Sequence, residues 1–489
     1  MPKRLAHLLG SGVTPWLGGI GVLSLALGLL FYRLGDGSLY DWDEAIYAQA
    51  AKEMLRAKTW GTITWNGLPF FHKPPLYFWL TALAYHVVGI GEFAARLWAA
   101  LFGFGVVALT MGFGIRLHSW PVGLAAALLL LVVDGAYYSQ WWNFLSLSRV
   151  SMMDTTLAFW IALALFLTWE ANRRPWLLVL VGLPVGLAVL TKAWPGLVGL
   201  VIVGLFLLLR SQPRASHRRY LAVGCLVAAL VMLPWHLWQY SLHGPQFLRE
   251  YVGFNVLERV FQTLEEHRGG PLFYAEVLRR GFSIWGYVWP LAYVWGVWKA
   301  WRQQDDGVLL LLAWITVPLA LFSAAQTKIG WYIAIIYPAV ALMIAVGLAD
   351  FLSGRLALGG VAVVMLACCL RLPVPADGSP DVKRFAPHVA QYVRPDQAVY
   401  VIQPACGIDQ PSLTAGDLLV TNRHIRTALV FYVDRPLICI EEYKVLAGTD
   451  LQRGFVITDE QSWARFRHLG HIVSQALVDG RGYVLARWP

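Results

Sequence analysis

Three acidic side chains crowd one short stretch, Tyr40–Leu55, which reads YDWDEAIYAQAAKEML. Ala45, Ala48, Ala51, Met54 and Leu55 recur at helical spacing, so Asp41, Asp43 and Glu44 stand at a helix start. Acids there can cap free N–H groups and complement the helix dipole. One acid suffices for that, and three stand here beside a membrane surface. A second signal is Phe71-His72-Lys73-Pro74-Pro75-Leu76. The prolines fix an extended lead and then open a helix at its first turn, holding His72 and Lys73 at a defined point. A basic membrane anchor would look the same. A third is Arg149–Asp154, RVSMMD, where Asp154 opens an apolar run either as a helix cap or as an acid facing a cavity. Lys192 in LTKAWPG and Lys328 in QTKIGWY also interrupt apolar sequence. Each could simply snorkel to the interface. Together with Lys73 and Arg259 they could instead hold a phosphate.

The elements that must position these residues are apolar. Of 489 residues, 58% are hydrophobic and 14% charged, against about 25% charged in soluble chains. Val13–Tyr32, Leu97–Ile115, Gly307–Thr327 and Ile329–Ala349 carry no charge, and roughly 20 such residues cross a bilayer. The expected fold is an α-helical polytopic membrane protein of about eleven spans, with up to thirteen allowed. The spans fall near 13–33, 94–115, 119–142, 154–170, 175–192, 194–210, 219–241, 281–299, 307–326, 329–350 and 355–371. The first, behind Lys3 and Arg4, reads as a retained span, since no clear signal-cleavage site follows it.

Alternate links are basic: Arg116 and His118, Arg173 and Arg174, Arg210 to Arg219, Lys299 and Arg302, and Arg355. That side should be cytoplasmic. The same bias accounts for the net charge of +10 without nucleic acid, for which no recognition fold is visible. Leu76–Ile90 is apolar but short, and counting it as a span would put the basic links outside. It is read as a helix at the membrane surface or packed on the bundle, within a long outward loop (34–93). Residues 143–153, Thr191–Trp194, 242–280 and Lys328 share that outward face. The expected domains are thus 1–371, a transmembrane domain carrying loops 34–93 and 242–280, and 372–489. The latter has strand-sized runs at Ala398–Gln403, Ala428–Val433, Phe455–Thr458 and Tyr483–Arg487, which suggest a small extracytoplasmic α/β domain. A Cys406–Cys439 disulfide is allowed there.

The ordered set of DE-x-x-Y, HKPPL, an R…D before a later helix, LTK, NVLER with a following E-x-H, and TK-x-x-WY…YPA resembles a known family. It is similar to the bacterial membrane glycosyltransferases of the aminoarabinose transferase and protein O-mannosyltransferase type, in the GT-C class. The resemblance covers about residues 36–350. It implies transfer of a sugar from a polyprenyl-phosphate carrier, such as undecaprenyl phosphate, to a lipid, glycan or protein hydroxyl outside the cytoplasm, with inversion. It makes Asp43 the general base, with Glu44 and Tyr47 shaping the site and Asp154 the second acid. Lys73 would hold the carrier phosphate, helped by Lys192, Arg259 and Lys328. His72 stands where some relatives carry Glu, and with His267 it could bind a divalent metal. No other cofactor is implied. The enzyme would sit in a bacterial inner membrane, with its site and C-terminal domain facing the periplasm. Two other classes fit a polytopic chain. A transporter or flippase predicts broken helices meeting at the midplane. A non-catalytic envelope-assembly scaffold predicts that Asp43 is replaceable.

Overall fold

The structure is a computed structural model and describes residues 13–132, 143–211, 215–263, 267–352, 366–367, 369–370, 372–403, 427–441, 454–468, 470–478 and 481–488. The chain divides into two compact units. One comprises Met1–Leu34 and Trp98–Val374, the other Gly35–Leu97 and Pro375–Pro489. Residues 35–97 therefore pack with the C-terminal segment, whereas the sequence reading assigned that loop to the transmembrane domain.

The first unit is helical. Glu92–Leu117, Met153–Glu170, Ser216–Phe261, Asp306–Ala324 and Gly330–Phe351 are long and apolar enough to cross a membrane. Shorter apolar helices follow expected runs at Trp16–Phe31, Trp120–Leu130, Leu177–Lys192 and Trp194–Leu209. The rest of the expected span 119–142 and most of 355–371 lie outside the described residues, as does Cys406. Helix ends are closed locally. Asp305 accepts from the N–H groups of Gly307 and Val308 at the head of Asp306–Ala324. Arg149 donates to the carbonyls of Leu29, Leu30 and Tyr32 at the tail of the first helix, satisfying acceptors that a helix end leaves open. The helix ending at Lys192 crosses the one starting at Ala215 through Gly182 and Gly224. A Cβ on either glycine would collide with a carbonyl of the opposite helix. Small residues permit such close crossings inside membranes.

The second unit joins the first loop to a mixed sheet. Strands β1 (Thr64–Trp65) and β2 (Leu68–Pro69) form a hairpin. The larger sheet has β3 (Val399–Gln403), β4 (Leu437–Glu441), β5 (Gly454–Asp459), β6 (His471–Val478) and β7 (Arg481–Trp488), in the order β4-β3-β5-β7-β6. β3 runs parallel to β4 and β5, and β7 antiparallel to β5 and β6. Ile402, Val456, Trp463, Phe466, Val484 and Ala486 form its core on one side.

Ala428–Val433, expected as a strand, lies instead within the helix Thr427–Val433. A six-residue apolar run fits a buried strand or a buried helix equally well. The choice is made by its neighbours. Asp41 accepts from the Ala428 N–H, and Asp434 ends the helix at a φ of 57°.

The helix Asp43–Ala57 packs between the Thr427–Val433 helix and the helix Leu76–Val88. Tyr47 meets Tyr77 and Phe78 edge-to-face. Asn66 donates to the Leu437 carbonyl and accepts from the Leu437 N–H. Lys52 reaches the Phe431 carbonyl at 2.6 Å and Asp434 at 2.8 Å, while Arg56 grips both oxygens of Asp434. Burial opposes charge on both partners. The deeply buried Lys52 is pushed down to about 8 despite Asp434. Asp434 is more open, and Arg56 with Lys52 outweighs burial and holds it at about 2. A carboxylate held below its unfolded value contributes stability that is complete above that unfolded value and is lost as pH falls through the folded one. Acid melts in lipid should therefore show Asp434→Asn losing part of the wild-type decline in stability between pH 4 and 2. Identical acid profiles for the two proteins would refute this.

Candidate active site

In the second unit the three clustered acids have separate surroundings. Asp41 accepts from the Ala428 N–H at 2.9 Å and the Ser379 hydroxyl at 3.2 Å, tying the loop to the C-terminal segment. Glu44 is wholly buried. It pairs with Arg96 at 2.8 Å and accepts from the Tyr40 N–H. Arg96 also donates to the carbonyls of Asp36 and Ser38. Asp43 opens the helix half-buried, and among the described residues no hydrogen bond or ion pair occupies its carboxylate. Asp43 thus has a carboxylate open to a substrate, and Glu44 and Asp41 fix the backbone on either side of it.

Tyr47 is buried one turn further on. Lys73 is half-buried, and after it come the buried Pro74 and Pro75, with Leu76 beginning the next helix. The His72 ring lies 5.3 Å from that of Phe70. Among the described residues no group of three or more His, Cys, Asp or Glu side chains is placed to hold a metal ion. His267, in the first unit, gives its carbonyl to the Lys328 N–H.

In the first unit two of the remaining candidates, Lys192 and Arg259, meet at the side chain of Tyr332. Asp154, in the first turn of Met153–Glu170, is ion-paired with Lys192, the last residue of Leu177–Lys192. The two are 1% and 7% exposed, and removing either partner of a buried pair leaves the other uncompensated. The chain then reverses at Ala193, with φ 57°. Lys192 Nζ also lies 5.0 Å from the centre of the Tyr332 ring, and the Tyr332 hydroxyl is 3.4 Å from Arg259. The segment bearing Lys328 is stitched alongside. Gln326 and Thr327 donate from their N–H groups to the carbonyls of Val260 and Arg259. The Thr327 hydroxyl donates to Gln262 O, and Lys328 Nζ to Ala325 O. Of these four ionisable side chains, three are cations and one is an anion, so the cluster carries surplus positive charge. That balance suits a phosphate.

Sequence reasoning passed over two participants. Tyr332 lay inside the TKIGWY segment without a role. Arg96 lay inside an expected span, where a lone arginine is itself a signal.

Relatives share this architecture. The sequence model of the dolichyl-phosphate-mannose-protein mannosyltransferase family matches residues 22–241. The undecaprenyl phosphate-alpha-4-amino-4-deoxy-L-arabinose arabinosyl transferase 1 of Sodalis glossinidius (strain morsitans) is 32% identical over 353 residues, 69% of this chain and 59% of that protein. The chain spans about three-fifths of the length of the curated relatives it matches. The crystal structure of ArnT from Cupriavidus metallidurans bound to undecaprenyl phosphate superposes with a TM-score of 0.76 at 21% identity, covering 97% of this chain and 98% of that one. The Archaeoglobus fulgidus oligosaccharyltransferase, in its apo form, gives 0.61 at 13% identity, covering 92% and 70%. The fold is that of the GT-C class of integral membrane proteins. Within that class the chain is similar in sequence to the aminoarabinose transferases and to the protein mannosyltransferase family.

Proposed function

We propose that the protein is a membrane glycosyltransferase that moves a sugar from a polyprenyl-phosphate carrier to a hydroxyl outside the cytoplasm, with inversion. The observation that carries this reading is the cluster of Lys192 and Arg259 at Tyr332, with the segment leading to Lys328 bound to Arg259 beside it. It stands at the ends of apolar helices, where a lipid-linked phosphate would be presented. The relatives named for undecaprenyl-phosphate sugars support the same donor class.

The acceptor oxygen attacks the anomeric carbon as the bond from that carbon to the phosphate oxygen breaks. The carrier phosphate leaves with the bonding electrons, and Asp43 takes the acceptor proton. Lys192, Arg259 and Lys328, with Lys73, stabilise the charge that grows on the departing phosphate. Asp154 aligns Lys192 through their ion pair. Glu44 and Tyr47 hold the Asp43 helix. The alternation of basic links puts this chemistry on the periplasmic side of an inner membrane, with residues 372–489 as an extracytoplasmic domain.

The test uses the full chain in liposomes with labelled polyprenyl-phosphate sugars and a set of lipid, glycan and protein acceptors. Transfer of label with inverted anomeric configuration is expected for at least one pair. No transfer across a broad donor panel would sink the reading, and a retained configuration would refute the single displacement.

A further inference from the structure

Trp42 is the one exposed residue between Gly37 and Leu55. Its side chain is a large hydrophobic 46% open to solvent. Among the described residues its indole makes no ring contact and no hydrogen bond. It also has φ 70° and ψ −131°, a backbone region that favours glycine and is strained for other residues.

That conformation is held on both sides. The Trp42 N–H donates to the Thr427 hydroxyl at 2.5 Å, and the Trp42 carbonyl accepts from the Ile46 N–H at 2.8 Å. The Leu39 N–H donates to the Tyr432 hydroxyl and the Tyr40 N–H to Glu44. Asp41 is pinned by Ala428 and Ser379. A bulky apolar side chain is thus held at its backbone, at a conformational cost, and left exposed one residue before Asp43. Strain of this kind persists only where the surroundings enforce it, and it gathers at sites that bind ligands.

We propose that the Trp42 indole is a stacking platform for the apolar face of a pyranose, placing that sugar ring beside Asp43. This rests on the glycosyltransferase reading. The C–H bonds on one face of a sugar ring carry slight positive charge, and an aromatic face is negative. With only two side-chain torsions, a tryptophan loses little freedom on binding such a face. The sugar can belong to the donor or to a glycan acceptor, and the two are separated by measuring both KM values.

Transfer is measured in liposomes for wild type, Trp42→Ala, Trp42→Phe and Trp42→Gly, with melting temperatures alongside. In Trp42→Ala the KM of the stacked substrate should rise about tenfold, with Trp42→Phe within roughly threefold of wild type. Polyprenyl phosphate lacking sugar should inhibit wild type and Trp42→Ala equally. Trp42→Gly should match Trp42→Ala in KM yet melt no lower than wild type, because the strain is relieved. A rise confined to the donor identifies the donor sugar, and one confined to the acceptor identifies the acceptor. If wild type transfers sugar but Trp42→Ala alters neither KM, the platform is refuted and the enzyme reading stands. A change in lipid-dependent melting alone would make Trp42 a membrane anchor and also refute it. Absence of transfer by wild type would remove both readings together.

Discussion

Replacing Asp43 by asparagine is expected to slow sugar transfer by about 10²- to 10⁴-fold, the usual range for a lost general base. The substitution keeps the side-chain shape and removes only the capacity to take a proton. No hydrogen bond among the described residues is lost, because none engages the Asp43 carboxylate. The fall should therefore appear in kcat, with donor KM and melting temperature close to wild type. Asp41→Asn is the informative contrast. Its carboxylate holds the Ala428 N–H and the Ser379 hydroxyl, so it should lower the melting temperature while retaining far more activity. Single-turnover rates in liposomes separate the two. Full-rate transfer by Asp43→Asn would end its assignment as base.

Arg96→Ala should destabilise the second unit by about 3–5 kcal/mol, the scale for removing one partner of a buried ion pair. Glu44 would be left charged at 0% exposure, and the carbonyls of Asp36 and Ser38 would lose their donor. Since Glu44 also fixes the Tyr40 N–H, the turn leading into Asp43 should loosen and activity should fall with stability. The double variant Glu44→Gln/Arg96→Met removes both charges and should recover much of the lost melting temperature. Thermal melts in lipid and proteolysis of residues 35–60 report on both. A double variant no more stable than Arg96→Ala would show that the uncompensated charge is not the cause.

How much of this was readable from the residues follows from the reach of each interaction. Apolar runs mark the helices of the first unit because a run of that length has few other structures to adopt. Lys192, Lys328 and Asp154 stand out because ionisable groups interrupt apolar sequence. The meeting of Lys192 and Arg259 at Tyr332 was not readable, since it depends on how distant helices cross, as at Gly182 and Gly224. The division of labour among Asp41, Asp43 and Glu44 was equally hidden. Glu44 is paired with Arg96 across 52 positions of chain and Asp41 with Ala428 across 387. The run Ala428–Val433 failed for a local reason: its composition allows strand or helix, and the Asp41 carboxylate at Ala428 lies far away in sequence.

The discontinuous second unit sets an order of events during synthesis. Residues 35–97 leave the ribosome long before 375–489. At about 5–20 residues per second, the intervening segment takes roughly 15–55 s to make. Throughout that interval the spans can insert, yet Lys52 has neither the Phe431 carbonyl nor Asp434, and Asp41 has no Ala428. The helix carrying Asp43 is completed by residues made 379 to 387 positions later in the chain. A chain terminated before residue 427 would occupy the membrane with the helix Asp43–Ala57 still lacking these partners.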